Sequence, residues 1–309
     1  MNALRRWLLT GITLTGWALG AGAAPPADVV TTLFPLYDWA RIVGGDAVRV
    51  TLLLPPGVEA HSFSPRPSDI LRLNRARALI HVNNDMEPWL SDLLRGARNP
   101  RLRVIAAGEG LADDTAPCPG CATAHDHDHP HGGDPHVWLD PRLAEKMVAR
   151  IAEGLAQDFP ESAAAFRARA AAYNEQLRAL DERIAAGLKD CPRREILYGG
   201  HFAFGHFARR YGLTHLSPYA GFSPNAQPRP QQLAELIEKM KHSGQRVIFH
   251  EELLDPRLAR VIAGETGARL EVLHGLHNLT ADEWRRGEMS YLSVMDDNLR
   301  KLRAALREP

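Results

Sequence analysis

Two series of alternating strand and helix patterns, separated by one long amphipathic stripe, constrain the fold of this chain most. Short aliphatic segments alternate with helical patterns before residue 140, and the same alternation returns after residue 190. Such alternation is typical of α/β domains in which the strands lie mainly parallel. The 309 residues allow about two domains of ordinary size. We therefore predict two α/β domains.

The predicted elements follow from short β-rich runs and from apolar residues at helical spacing. The predicted strands are residues 28–34, 48–54, 78–82, 195–198, 246–250 and 270–273. The predicted helices outside the central segment are residues 36–43, 67–75, 88–98, 204–211, 230–242, 256–266 and 291–306.

The central segment 141–189 has a helical pattern throughout, interrupted by Pro160. Its apolar residues recur at intervals of three and four and form one stripe: Phe166, Ala170, Tyr173, Leu177, Leu180, Ile184 and Leu188. A helix over residues 161–188 would be about 42 Å long at a rise of 1.5 Å per residue. It can act as a rigid strut between residues 24–140 and residues 190–309, although the stripe fits an ordinary core helix equally well.

The N-terminus has the pattern of a secretion signal, which we place at residues 1–23. Arg5 and Arg6 precede an apolar run, and small residues follow at 21–23. The run is shorter than the roughly 18 residues that a membrane-spanning helix needs. No cysteine lies near the predicted cleavage site, so we expect a periplasmic protein without a lipid anchor.

Charge and histidine content narrow the class of ligand. The 37 basic and 37 acidic side chains balance, whereas a protein that binds nucleic acid normally has a basic excess. The 14 histidines are roughly twice what an average composition would give. Because histidine is the commonest metal ligand, their positions indicate where to look for a site.

Residues 112–133 are rich in Asp, Thr, Pro, Gly and His, and this composition predicts an exposed, mobile loop. Four of its histidines alternate with other residues and could gather divalent cations without fixed geometry: His125, His127, His129 and His131. Cys118 and Cys121 lie in the same loop, and Cys191 begins the second domain. One disulfide with one free thiol fits an oxidising compartment, but the pairing stays open.

Four other histidines lie where the chain leaves a predicted strand or turns towards a helix: His61, His136, His201 and His274. Ligand sites in open α/β folds gather at the carboxyl ends of strands. Any one of these histidines could be structural, but two come from each half of the chain. Neutral imidazoles suit zinc, with copper, iron and nickel as alternatives, whereas magnesium and calcium prefer oxygen ligands.

Several motifs in a fixed order carry a resemblance to a known family. They are HSFSPRPSD at 61–69, MEPWL at 86–90, DPHVWLDP at 134–141, GGHFAFGHFARRYGL at 199–213, IFHEE at 248–252 and YLSVMDDNLRKL at 291–302. Together they resemble the zinc- and manganese-specific substrate-binding proteins of ABC importers, the cluster A-I class. The resemblance implies two Rossmann-like lobes joined by one long rigid helix. It also implies a metal held between the lobes and delivered to a membrane permease, without catalysis, and we expect a monomer.

The resemblance assigns the first three metal ligands to His61, His136 and His201. Histidine at the third position is typical of zinc-type members, so we expect Zn(II) rather than Mn(II). The family commonly has an aspartate at the fourth position, where this sequence aligns His274. We rank His274 first, and water, His277 and Glu59 after it.

Acidic residues beside these histidines could orient the imidazoles. Glu251 and Glu252 follow a predicted strand, and Asp134 and Asp140 flank His136. They could equally stabilise a helix start or a turn.

Two other functions remain as alternatives. A periplasmic zinc buffer would work mainly through residues 112–133. A zinc hydrolase would use three histidines, a bound water and Glu251 as a base. The hydrolase is the weaker hypothesis because the sequence has no H-E-x-x-H motif.

Overall fold

The computed structural model describes residues 26–112, 133–219 and 227–308. The predicted signal peptide therefore lies outside the described residues. So do nearly all of the predicted His-rich loop, its four alternating histidines, Cys118 and Cys121.

The described residues contain eight strands and ten α-helices. The strands are β1 (Ala27–Thr31), β2 (Val48–Leu52), β3 (Ala78–His81), β4 (Arg103–Ala106), β5 (Glu195–Leu197), β6 (Thr214–Leu216), β7 (Val247–His250) and β8 (Arg269–Val272). The helices are α1 (Phe34–Gly44), α2 (Pro67–Arg75), α3 (Leu90–Gly96), α4 (Pro141–Asp158), α5 (Ala163–Lys189), α6 (Gly205–Arg210), α7 (Pro230–Ser243), α8 (Arg257–Thr266), α9 (Ala281–Arg286) and α10 (Tyr291–Arg307).

The first lobe is built on one parallel sheet with the strand order β2-β1-β3-β4. Every residue of β3 is buried, as expected for a central strand that helices cover on both faces. Because all four strands run parallel, their carboxyl ends meet at one edge of the sheet. The chain segment that carries His61 leaves the sheet at this edge, after β2.

The second lobe contains two parallel strand pairs, β5 with β6 and β7 with β8. A bridge between Tyr198 and Phe249 joins the pairs side by side, and the Gly199 N–H donates to the Phe249 carbonyl at 2.7 Å. The strand order across the lobe is therefore β6-β5-β7-β8. The α/β class with mainly parallel sheets, predicted from the alternation, is confirmed.

The central segment forms two packed helices that are separated at Pro160. Helix α4 begins where the Asp140 side chain accepts a hydrogen bond from the Arg142 N–H, and it ends just before Pro160. Helix α5 has 27 residues, or about 40 Å at the usual rise, and it buries the predicted stripe. It packs against α1 of the first lobe and α10 of the second, which makes it the connecting helix.

Strands β4 and β6 and helix α9 were absent from the sequence prediction. Both strands lie at sheet edges and are only partly buried, so neither has the continuous apolar run of a central strand. His215 lies in the middle of β6.

The larger hydrophobic core is one contiguous cluster of buried side chains. It includes residues of both lobes, from Val29 in β1 to Leu306 in α10. A smaller cluster fills the second lobe beneath α7 and α8. Among the described helices, none combines the length and the apolar character needed to cross a membrane.

Candidate metal site

Three histidines that are far apart in sequence meet between the lobes. They are His61, His136 and His201. Each offers one ring nitrogen, and these three nitrogens lie within 4.8 Å of one another. The Nε2 atoms of His61 and His136 are 3.2 Å apart. Two imidazole nitrogens bound to one tetrahedral zinc at about 2.05 Å would be about 3.3 Å apart. The observed distance therefore fits two ligands of one metal ion.

Carboxylates hold the backbones of the two first-lobe histidines. The Glu59 carboxylate accepts hydrogen bonds from the His61 and Ser62 N–H groups, at 2.9 and 2.8 Å. Asp134 Oδ1 accepts from the His136 N–H at 3.0 Å and lies 2.7 Å from His136 Nδ1. A proton on Nδ1 satisfies this short contact, and Nε2 is then the nitrogen that faces His61.

His201 follows β5, where two glycines allow a close approach of β7. A Cβ on Gly200 would lie 1.8 Å from Glu251 Oε2, so a larger residue there would displace this side chain. Glu251 Oε1 accepts a hydrogen bond from the His201 N–H at 3.1 Å. Glu251 thus holds the backbone of His201.

A fourth imidazole, that of His277, lies against the other three. Its ring centroid is 5.1 Å from that of His136, 5.8 Å from that of His61 and 6.1 Å from that of His201. Four imidazoles around one tetrahedral zinc would have centroids about 5 Å apart. Among the described residues, His277 Nε2 has no hydrogen-bond partner.

His274, our first choice for the fourth ligand, does not join the cluster. Asn298 binds both its backbone groups, at 2.9 Å each, and its ring lies between Glu252 and Glu283. The chain then turns sharply at Leu276, whose φ of 61° is unusual for a residue other than glycine. This turn directs His277, rather than His274, towards the three histidines.

The loop over residues 274–279 belongs to the second lobe but is bonded to the first. Trp138 Nε1–H donates to the Gly275 carbonyl at 2.9 Å, and the Phe34 N–H donates to the His277 carbonyl at 3.3 Å. The Asn278 side chain donates to the Pro55 carbonyl at 2.7 Å. The cluster therefore combines side chains of both lobes, and hydrogen bonds to the first lobe hold the loop that carries His277.

The chain matches the sequence model of a known family over most of its length. The sequence model of the family described as "ZnuA: Zinc-uptake complex component A periplasmic" matches residues 29–305. The chain belongs to this family.

Two relatives are similar to this chain over about nine tenths of its length. The zinc-binding lipoprotein AdcA of Streptococcus pneumoniae is 35% identical over 282 residues, which are 89% of this chain and 55% of that protein. The chain thus spans about half the length of this relative. The high-affinity zinc uptake system protein ZnuA of Bacillus subtilis is 32% identical over 280 residues, which are 90% of this chain and 87% of that protein.

Solved structures have the same fold. The Zn(II)-bound ZnuA-like domain of S. pneumoniae AdcA matches with a TM-score of 0.73 and 31% identity, over 92% of this chain and 100% of that domain. The metal-dependent lipoprotein YcdH of B. subtilis matches with a TM-score of 0.75 and 30% identity, over 91% of this chain and 100% of that one. Two lobes with a connecting helix are therefore the architecture of this member of the zinc-uptake component A family.

The electrostatics of the site favour neutral imidazoles. Burial, together with the neighbouring His277, lowers the pKa of His61 to about 4 and that of His136 well below its usual value. Neutral rings can bind a metal without first losing a proton. Burial raises the pKa of Asp134 to about 6, so it is mostly ionised at pH 7.

Glu252 is another deeply buried acid of the site. Burial alone would raise its pKa, but His274, His277 and the Gly275 N–H together lower it to about 2. A carboxylate with this pKa is ionised at neutral pH.

The His-Gly-Leu-His segment was among the predicted ligand positions, but the sequence alone did not indicate which of its two histidines lies against the cluster. The useful signal is Gly275: a Cβ there would lie 2.7 Å from both Nδ1 and Cε1 of His277. The glycine thus leaves room for the His277 ring over the backbone. Glu59, a lower-ranked candidate, bonds backbone N–H groups instead.

Proposed function

We propose that this protein captures Zn(II) between its two lobes and delivers it to the membrane permease of an ABC importer. The observation that carries the proposal is the convergence of buried imidazoles from both lobes on one point. Membership of the zinc-uptake component A family supports zinc as the ligand, as does the Zn(II)-bound structural relative.

In this proposal the zinc ligands are His61, His136, His201 and His277, with His277 replacing His274. Imidazole nitrogens suit tetrahedral Zn(II), and the 3.2 Å between Nε2 of His61 and Nε2 of His136 fits such a site. Mn(II) favours oxygen ligands and six-coordination. We therefore propose that the protein prefers Zn(II) to Mn(II).

The proposed role is binding and release rather than catalysis. Four protein ligands occupy all four coordination positions of a tetrahedral zinc and leave no position for a reactive water. A hydrolase would need such a position for the attacking water. The family description supports a periplasmic location and an importer as the partner, and we propose that the protein acts as a monomer.

The proposal is tested by calorimetric titration of the chelator-stripped protein with zinc and manganese, with and without residues 113–132. We expect one tight zinc site that survives the deletion, with manganese much weaker. His136→Ala should abolish tight binding. Weak, multiple zinc sites that vanish with residues 113–132 would contradict the proposal and favour a zinc buffer.

A further inference from the structure

One buried carboxylate lies between the two imidazoles of the 274–279 loop. The Glu252 side chain is 3% exposed, and its Oε1 atom is 3.5 Å from His277 Nδ1 and 3.6 Å from His274 Nδ1. Its Oε2 atom accepts a hydrogen bond from the Gly275 N–H at 2.8 Å. Oε1 has no hydrogen-bond partner of its own among the described residues. A buried carboxylate oxygen is stabilised by a donor, so one of the two rings should supply a proton to it.

His274 does not supply this proton in its neutral form. The Leu276 N–H donates to His274 Nδ1 at 3.0 Å, so that nitrogen is an acceptor and carries no proton, although Glu252 and Glu283 outweigh burial and raise the pKa of the ring. The single proton of a neutral His274 ring is then on Nε2, which faces Glu283 at 3.7 Å. This leaves His277 as the donor to Glu252 Oε1.

The consequence for His277 is a fixed tautomer. A neutral imidazole carries one proton, and a proton on Nδ1 leaves the lone pair on Nε2. Nε2 is also the His277 nitrogen without a hydrogen-bond partner among the described residues. In the first lobe, Asp134 Oδ1 lies closer to Nδ1 of His136, at 2.7 Å.

We infer that Glu252 is the positioning residue for His277: it accepts the Nδ1–H and the Gly275 N–H together, so that Nε2 is presented to zinc. This inference rests on the proposed function, because it assumes that His277 binds the metal.

The test compares Glu252→Gln, His277→Ala and the double variant, all in the full chain. A glutamine amide accepts on one side only, so its NH₂ group would face either the Gly275 N–H or the His277 Nδ1–H. We expect Glu252→Gln to weaken zinc binding about 10- to 100-fold, the usual effect of removing such a partner. Zinc-edge X-ray absorption should count one imidazole fewer. In the His277→Ala background the same substitution should change affinity by less than about threefold.

Glu283→Gln is the matched control, because Glu283 contacts an imidazole that the proposal does not assign to zinc. It should leave zinc affinity and the imidazole count unchanged. The unaltered protein provides a second measurement that does not depend on how the variants fold. Nitrogen NMR of histidine-labelled, zinc-loaded protein should show His277 protonated on Nδ1 and bound through Nε2.

The outcomes separate this inference from the proposed function. If the unaltered protein binds zinc weakly, or if His277→Ala binds as tightly as the unaltered protein, the ligand set itself is wrong. If His277→Ala weakens binding but Glu252→Gln does not, the role of Glu252 is wrong and the ligand set stands. An equal loss from Glu252→Gln with and without His277, or zinc bound through His277 Nδ1, also overturns the inference.

Discussion

Substituting Gly275 with alanine should remove one zinc ligand without disturbing the backbone. The φ of Gly275 lies outside the left-handed region, so alanine can adopt it. The added Cβ would lie 2.7 Å from Nδ1 and Cε1 of His277, whereas atoms in ordinary contact are about 3.5 Å apart or more. The imidazole must therefore move by nearly 1 Å.

A metal–ligand bond does not accommodate a shift of this size, since sound sites keep their distances within about 0.2 Å. We expect zinc affinity to fall about 10- to 100-fold, or about 1.4–2.7 kcal/mol. Competition titration against a chelator of known affinity measures the loss. A thermal melt at fixed excess zinc should show a correspondingly smaller stabilisation by zinc.

Gly264→Ala is the matched control for this substitution. Gly264 lies on helix α8, and a Cβ there would have nothing within 4 Å. It should leave zinc affinity unchanged and stabilise the helix by about 0.5–1 kcal/mol. If Gly275→Ala binds zinc as tightly as the unaltered protein, the reasoning that a Cβ at position 275 displaces the His277 imidazole is refuted.

Two further predictions concern stability without metal. Burial lowers the pKa values of His61 and His215 to about 4, so the unfolded chain binds more protons than the folded chain between about pH 4 and 6.5. The contribution of each histidine to stability should therefore fall as the pH is lowered through this window, by up to about 1.4 kcal/mol per pH unit. Asp134, whose pKa burial raises to about 6, should offset about one of the two below pH 6. Urea titrations in which stability stays constant or rises as the pH is lowered would contradict this. Trp138→Phe should cost about 1–3 kcal/mol, because it leaves the buried Gly275 carbonyl without its donor. Denaturant unfolding measures this cost, and an unchanged free energy would show that water or a shift of the loop replaces the bond.

The sequence predicted the parts of the fold that depend on repeated local patterns. The buried strand β3 and the stripe of α5 carry long apolar signals, and both were found with small errors at their ends. The edge strands β4 and β6 were missed because their partners, rather than their own apolar content, hold them in the sheet.

The convergence of His61, His136 and His201 follows from a simple rule, since each lies where the chain leaves a strand or enters a helix at the same side of the fold. The choice between His274 and His277 depended on contacts that the sequence does not display. The backbone bonds of Asn298 to His274 and the positive φ of Leu276 favour His277, and both depend on helix α10 and on the first lobe.

The uninterrupted core has a consequence for how the molecule unfolds. Since apolar side chains of both lobes pack on the same helix α5, neither lobe can lose its structure without exposing the interior of the other. Calorimetry should then record one cooperative transition, with equal van't Hoff and calorimetric enthalpies, rather than two independent ones. By the same reasoning, a gene fragment that encodes one lobe without α5 should yield an aggregating polypeptide instead of a half-size binding protein.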